Sequence, residues 1–169
     1  MAIPIFSGDL GPCQVIWNGA VVGPTQGGVK VKIDMKSVEI KEDGYGVAAV
    51  DAVFTGMEVA DIEIPLTRFT LAQLDVLTQD ADLVGSVLIV ANPVGTAMYA
   101  LSKALILKPL VNNVASAVTT EWITFLKAYP TAKWEIGYDN AGQRIYKVLF
   151  KIFVCQDSPN INDIFKLGA

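Results

Sequence analysis

Alternation of apolar and polar residues is the clearest pattern in the chain, and it predicts β-strands. From Val29 to Glu42, apolar residues occupy the odd-numbered positions up to Met35, and charged residues alternate with them. A period of two places successive side chains on opposite faces of a strand. After Ser37 the apolar residues, Val38 and Ile40, are even-numbered, which a bulge, a bend or a hairpin would produce.

A second alternating segment, Asp51 to Leu77, predicts a strand, a tight turn at Gly56, another strand and a short helix. In the second of these strands, the acidic residues Asp61 and Glu63 fall on one side, and apolar residues fall on the other. Strict alternation predicts that one face is packed and the other is polar. Pro65 cannot donate a hydrogen bond within a sheet, so it is expected near a strand end or on an edge strand.

The helix that ends this segment is expected to begin after Thr70. Thr70 can cap the free N–H groups, and Gln73 lies three residues on, as a capping box requires. Leu71, Leu74 and Leu77 form one apolar stripe. A helix this short is not stable alone, so we expect it to pack on the sheet.

The rest of the chain is also rich in β-formers separated by turn signals such as Asn18-Gly19 and Asp139-Asn140-Ala141-Gly142. Further strands are predicted at Cys13–Trp17, Ser86–Ala91, Met98–Leu107, Glu121–Lys127, Trp134–Tyr138 and Arg144–Val154. The fold class is therefore mainly β: two packed antiparallel sheets, as a sandwich or barrel, with one short flanking helix. Residues 1–169 fit a single domain, with an extended N-terminal arm over about 1–12 and a C-terminal tail over about 157–169.

Composition narrows the function. The formal charge of −4 argues against a nucleic-acid binder, which needs a basic face. Hydrophobic residues make up 52% of the chain, so we expect other subunits or a membrane to cover the excess apolar surface. The uncharged stretch Leu83–Ser102 is the candidate for a membrane span, but Asn92-Pro93 and Gly95 favour a turn there. The first residues do not form a secretory signal, so synthesis and folding in a cytoplasm are expected.

Candidate chemistry is sparse. The chain has no histidine, no G-x-S-x-G motif and no phosphate-binding loop, and we predict no enzyme activity, cofactor or metal site. Asp61 and Glu63 share a strand face, which suits acid–base work or Ca²⁺ binding, but also an ordinary solvated face. Cys13 and Cys155 are either two small buried hydrophobes or a disulfide, within one chain or between chains.

Three stretches together resemble the bacteriophage tail tube protein family, which is related to the inner tubes of contractile tails and type VI secretion. They are Gly27–Gly46 with the β-run and Asn18-Gly19 turn before it, Asp51–Leu77, and Glu121–Phe150 followed by an F-x-x-G-like end at Phe165–Gly168. The resemblance implies two packed β-sheets with one flanking helix. It also implies rings of six subunits whose inner sheets close into a continuous barrel.

The family further implies that rings stack into a tube through which tape-measure protein and then DNA pass, without specific DNA binding. The expected partners are other copies of the chain, tape-measure protein, passing DNA and, in a contractile tail, a sheath protein. The expected location is the virion tail, after assembly in the bacterial cytoplasm. Lumens in this family are usually acidic, and we expect Asp61 and Glu63 to face the lumen. Lys30, Lys32 and Lys36 are then expected to pair with acids on a neighbouring subunit or ring.

The same resemblance predicts that loops 20–28 and 111–119, with both termini, reach the next ring. Two alternatives remain open from the sequence. One is another ring-forming component of the same fold, such as a baseplate hub, a tail terminator or a secretion inner tube. The other is a small ligand-binding β-barrel, in which the excess apolar residues would line a pocket.

Overall fold

Antiparallel β-sheets contain most of the residues that the structure, a computed structural model, describes. Those residues are 12–25, 27–68, 70–78, 81–91, 94–132 and 146–168. The strands are β1 Cys13–Trp17, β2 Ala20–Gly23, β3 Ile33–Lys41, β4 Ala49–Val59, β5 Ile62–Leu66, β6 Ala81–Val84, β7 Val87–Val90, β8 Lys103–Val111, β9 Val114–Ala115, β10 Ile123–Ala132, β11 Tyr146–Phe153 and β12 Phe165–Leu167. The helices are α1 Leu71–Leu77 and α2 Met98–Leu101.

The largest sheet has the strand order β2-β1-β8-β10-β11-β5, with β12 paired to β10 and β9 paired to β8. It is strongly curled into a half-barrel, and β3–β4 and β6–β7 form separate two-stranded sheets. The prediction of a mainly β, antiparallel fold is confirmed. The described residues differ from the predicted pair of packed sheets because the curled sheet encloses a core of its own.

Alternate residues of the large sheet build that core, as the alternating pattern predicted. Ile62, Ile64 and Leu66 are fully buried on β5, and Phe150 on β11 is fully buried beside them. The Phe150 ring lies 6.0 Å from the ring of Trp17, measured between centroids, and the Trp17 indole N–H donates to the Ala128 carbonyl at 3.1 Å. The apolar face of β5 thus packs inward, and the face that carries Glu63 is exposed.

The predicted capping box of α1 is present. Thr70 Oγ1 accepts a hydrogen bond from the Gln73 backbone N–H at 3.2 Å, and Gln73 Oε1 accepts one from the Thr70 N–H at 2.9 Å. Leu74 and Leu77 are buried, but Leu71 is 42% exposed. The apolar stripe that anchors α1 is therefore narrower than the sequence predicts.

A Thr70→Ala variant is expected to lower the free energy of unfolding by about 1 kcal/mol, because one N–H group of the first helical turn loses its acceptor. For a chain of this length, the midpoint of thermal unfolding should fall by roughly 2–4 °C. Thr120→Ala is the matched control, since Thr120 lies in a 3-10 turn without a side-chain cap. Equal melting temperatures for the two variants would contradict this role of Thr70.

Gly56 does not end a strand, contrary to the predicted turn. β4 continues through Gly56 to Val59, and the chain breaks at Ala60 and Asp61 before β5. Gly56 has a φ of 146°, a conformation that costs glycine little, and it lies at a β-bulge rather than at a turn.

Four other predicted segments differ in part from the structure. Residues 98–101 form a second short helix instead of the start of a strand, so the flanking helix is not single. The strand predicted at Ser86–Ala91 forms β7, which is mostly exposed because β6–β7 is a separate hairpin. The predicted exposed loop 111–119 includes β9, which pairs with β8, and the C-terminal tail includes β12, which pairs with β10. The strand Trp134–Tyr138, the turn Asp139–Gly142 and the N-terminal arm before Pro12 lie outside the described residues.

The segment after β2 covers the outer edge of β5. Isolated bridges join Thr25 to Leu66 and Lys30 to Glu63, and the Thr67 N–H donates to the Pro24 carbonyl at 3.0 Å. The predicted loop 20–28 is therefore used within its own chain, as β2 and as an edge cover. Pro65 lies in the last strand of the sheet order, as predicted. Among the described residues, no helix is long and apolar enough to cross a membrane.

Candidate assembly surface

The β3–β4 ribbon, which we define as Ile33–Lys41 with Ala49–Val59, extends away from the half-barrel. All nine residues of β3 are exposed, and each strand pairs only with the other in the described part of the chain. Nine residues in a strand span about 30 Å. At the ribbon tip, which we define as Glu42–Ala48, Tyr45 is 68% exposed and Val47 is 93% exposed.

A β-bulge divides the ribbon in two. Lys36 lies opposite Gly56 and Ser37 lies opposite Phe54, so Thr55 is the extra residue on β4. The apolar pattern of β3 shifts phase at the same position, but the extra residue lies on the partner strand, and β3 itself alternates without interruption.

The apolar face of the ribbon changes sides at this bulge. Between the body and the bulge, one face carries four apolar residues, namely Ile33, Met35, Met57 and Val59. Beyond the bulge, the opposite face carries what we call the distal apolar patch, namely Val38, Ile40 and Val53. Val38 is 59% exposed and Val53 is 51% exposed. Val59 packs against the core at the base of the first face, whereas Met35 on that face is 72% exposed, and the distal apolar patch lies on the opposite face.

Two of the three lysines expected to pair with another subunit form exposed ion pairs within the chain, and pairing between subunits stays a prediction. Lys36 forms an ion pair with Glu58 across the ribbon, and the Lys32 ammonium lies 3.0 Å from the Asp34 carboxylate. The hydrogen bond to Glu58 raises the pKa of Lys36 above its ordinary value. Glu58 is available to Lys36 because β4 returns alongside β3, whereas Asp34 is a neighbour of Lys32 along the same segment.

A second two-stranded ribbon, β6–β7, also presents an apolar face to solvent. Val84 lies opposite Val87 at its turn, and Ile89 shares their face. These three side chains are 56–58% exposed. Two ribbons with unpaired edges and exposed apolar side chains are unusual on a monomer, because such edges and patches promote association.

Asp61 and Glu63, the predicted lumen residues, lie close together on the exposed side of β5. The Glu63 carboxylate forms an ion pair with the Lys147 ammonium of β11 at 2.9 Å. Lys151, two residues from Leu149 and exposed like Lys147, lies on the same sheet face. Lys30, which is bridged to Glu63 from the other side, shares this face, so the two acids lie among at least three lysines.

Cys13 and Cys155 are both free thiols in the structure. Cys13 is half-buried on β1, and burial raises the pKa of its thiol, which keeps it protonated. Cys155 is buried, and its sulfur donates a long hydrogen bond to the Asp157 carbonyl at 3.7 Å. Both residues pack as small hydrophobes, and a disulfide between chains stays a prediction.

An apolar groove between β2 and α1 was missed by the sequence analysis. Its walls include Val21, Val22, Ala72, Gln73 and Val76, and its volume is about 210 Å³. No local sequence pattern predicts this groove, because it forms only when α1 packs against β2. The bond from the Gln73 amide to the Val21 carbonyl, at 3.4 Å, joins the two walls.

A polar cluster around α2 was also missed. The Tyr99 hydroxyl accepts a hydrogen bond from the Gln156 N–H at 2.7 Å, and the Tyr99 ring packs edge-on against Phe153. The Lys127 ammonium lies 2.6 Å from the Asp157 carboxylate, and this hydrogen bond raises the pKa of Lys127. These contacts hold α2 against the end of β11, so the role of the cluster is structural.

The described residues contain no group of three or more His, Cys, Asp or Glu side chains arranged to hold a metal ion. The chain matches no protein-family model, and the search of curated proteins found no match either. The surface that stands out is therefore one suited to association, namely the two ribbons with their exposed apolar faces.

Proposed function

We propose that this chain is a structural subunit of the bacteriophage tail tube type. Copies assemble into rings of six, and the rings stack into a tube that encloses tape-measure protein and then conducts DNA. The proposal rests on one structural observation together with the sequence resemblance: the β3–β4 ribbon exposes an apolar patch, unpaired strand edges and nine consecutive residues.

The ribbons suggest how such a ring would close. Each subunit offers β3–β4 and β6–β7, and both ribbons have free edges in the described part of the chain. Pairing a ribbon of one copy with a ribbon of the next leaves a new free edge, so the contact repeats until the ring is complete. Closure removes the edges, and a head-to-tail contact of this kind generates rings or helical filaments.

The same exposed ribbons would suit other ring-forming components. The mode of assembly distinguishes those components from a tube protein. A tail terminator or hub would stop at single rings, whereas a tail or secretion tube would stack them. A ligand-binding barrel would need a larger site than the groove between β2 and α1, which at about 210 Å³ is below the ~300–1,000 Å³ of common ligand pockets.

The direct solution test is size-exclusion chromatography with light scattering over a wide range of protein concentration. We expect a mass corresponding to six copies of the 18.1 kDa chain or to stacks of such rings. A monomer at every concentration would contradict the proposed function.

The lumen assignment of Asp61 and Glu63 predicts a charge effect on DNA passage. In tubes of the Asp61→Lys/Glu63→Lys variant, labelled DNA should be retained at low salt and released as salt rises, because lysines bind phosphate by releasing counterions. The isosteric Asp61→Asn/Glu63→Gln variant is the control, and it should retain little DNA. Equal and salt-independent behaviour of both variants would show that these residues do not line the channel.

A further inference from the structure

The described part of the chain leaves the α1–β2 groove unfilled. Val21 and Val76, in its walls, are 44% and 37% exposed. Its volume of about 210 Å³ is sufficient for an aromatic ring, since a cavity of ~150 Å³ holds benzene. The walls are apolar apart from the Gln73 amide, which retains a second N–H beyond the one bonded to Val21.

The ribbon tip has the complementary chemistry. Tyr45 is a large, exposed aromatic residue with one polar atom, and such residues are typical anchors of protein interfaces. It lies about 30 Å along the ribbon from the body, because all of β3 is exposed and separates it from the half-barrel. The tip therefore extends away from the body that carries the groove, which makes another copy the natural source of an occupant.

The charges near the ribbon tip and near the α1–β2 groove are of opposite sign. The tip contains Glu42 and Asp43, both exposed. Arg68 is the only lysine or arginine between Lys41 and Lys103. It is exposed, and its backbone lies against the end of β2: a Cβ built at Gly23 would be 3.0 Å from the Arg68 carbonyl oxygen. The backbone of a basic residue thus lies beside the end of β2, which forms one wall of the groove, and two acidic residues precede Tyr45 in the tip.

We infer that Tyr45 of one copy inserts into the α1–β2 groove of the neighbouring copy, with the tip acids near Arg68. The inference rests on the proposed function and names a contact within that assembly. The ribbon tip and the α1–β2 groove are different surfaces of one chain, so the contact is head-to-tail and repeats from copy to copy. The phenol oxygen accepts from the free Gln73 N–H, and the ring displaces water from the apolar walls.

Cysteine cross-linking tests the contact. In a Tyr45→Cys/Val76→Cys variant, mild oxidation of the assembled protein should give a ladder of linked chains, with the two new cysteines identified in linked peptides by mass spectrometry. The control is Tyr45→Cys/Val114→Cys, whose second cysteine replaces a residue that is 69% exposed on β9. We expect at least about tenfold less linked product in the control. A link within single chains, or equal yields from both variants, would overturn the inference.

A variant without new cysteines gives an independent measure. Tyr45→Ala should raise the protein concentration needed for half-assembly by about tenfold, a common loss on truncating an interface anchor. Unchanged assembly of Tyr45→Ala, with the parent chain forming rings, would overturn the inference and leave the proposed function standing. A parent chain that stays monomeric at every concentration would overturn both.

Discussion

A Val38→Lys/Val53→Glu variant is expected to fold normally but to remain monomeric where the parent chain assembles. Val38 and Val53 lie opposite each other in the distal apolar patch. The new side chains carry opposite charges, so they can pair across the ribbon without breaking it. Covering this pair with a neighbouring subunit would cost several kcal/mol in lost hydration, and ~3 kcal/mol corresponds to about a hundredfold higher assembly concentration.

Ala52→Lys is the matched control, because it places a lysine opposite Glu39 on the other face of the same ribbon. We expect this variant to assemble at nearly the parent concentration, as measured by light scattering. Circular dichroism and thermal melting verify that both variants are folded. Assembly of the Val38→Lys/Val53→Glu variant at the parent concentration would show that the distal apolar patch is not an interface.

Phe150→Ala is expected to produce the largest loss of stability. The Phe150 side chain is fully buried at the centre of the half-barrel core and contacts the Trp17 ring. Truncating a buried phenylalanine costs about 3–5 kcal/mol, through lost burial and the cavity left behind. The melting midpoint should fall by roughly 10 °C or more, as measured on protein diluted below its assembly concentration.

Phe54→Ala provides the comparison within the same residue type. Phe54 lies on β4 of the ribbon and is 59% exposed, so its truncation should change the free energy of unfolding by less than about 0.5 kcal/mol. Urea denaturation of both variants measures the difference. If the two substitutions cost the same, the assignment of the core to the half-barrel rather than to the ribbon would be wrong.

The features that could be predicted from the sequence are those that depend only on residues close together along the chain. Alternation is a direct consequence of strand geometry, so the burial of Ile62 and Ile64 and the exposure of Glu63 followed from position alone. The Thr70–Gln73 capping box is a contact over three residues. The bulge near Ser37 coincides with the shift of phase in the apolar pattern of β3, although its extra residue, Thr55, lies on β4.

Features that depend on distant partners could not be predicted in the same way. The pattern of residues 29–42 indicates a strand but not that β3 leaves the body and exposes both faces. Lys36 appeared available for another subunit because its partner, Glu58, is brought to it only by the return of β4. The groove between β2 and α1 depends on how a helix packs against a distant strand. Lys147, which forms an ion pair with Glu63, is more than eighty residues away in sequence, so this pairing could not be predicted either.

Negative-stain electron microscopy of the purified protein, from low to high concentration, tests the central claim most directly. The account predicts hollow rings with six-fold symmetry that stack into long tubes with a regular axial repeat as concentration rises. Isolated rings that never stack would contradict the tube and favour a terminator or hub. Small featureless particles at all concentrations would contradict the claim that the exposed ribbons are assembly surfaces.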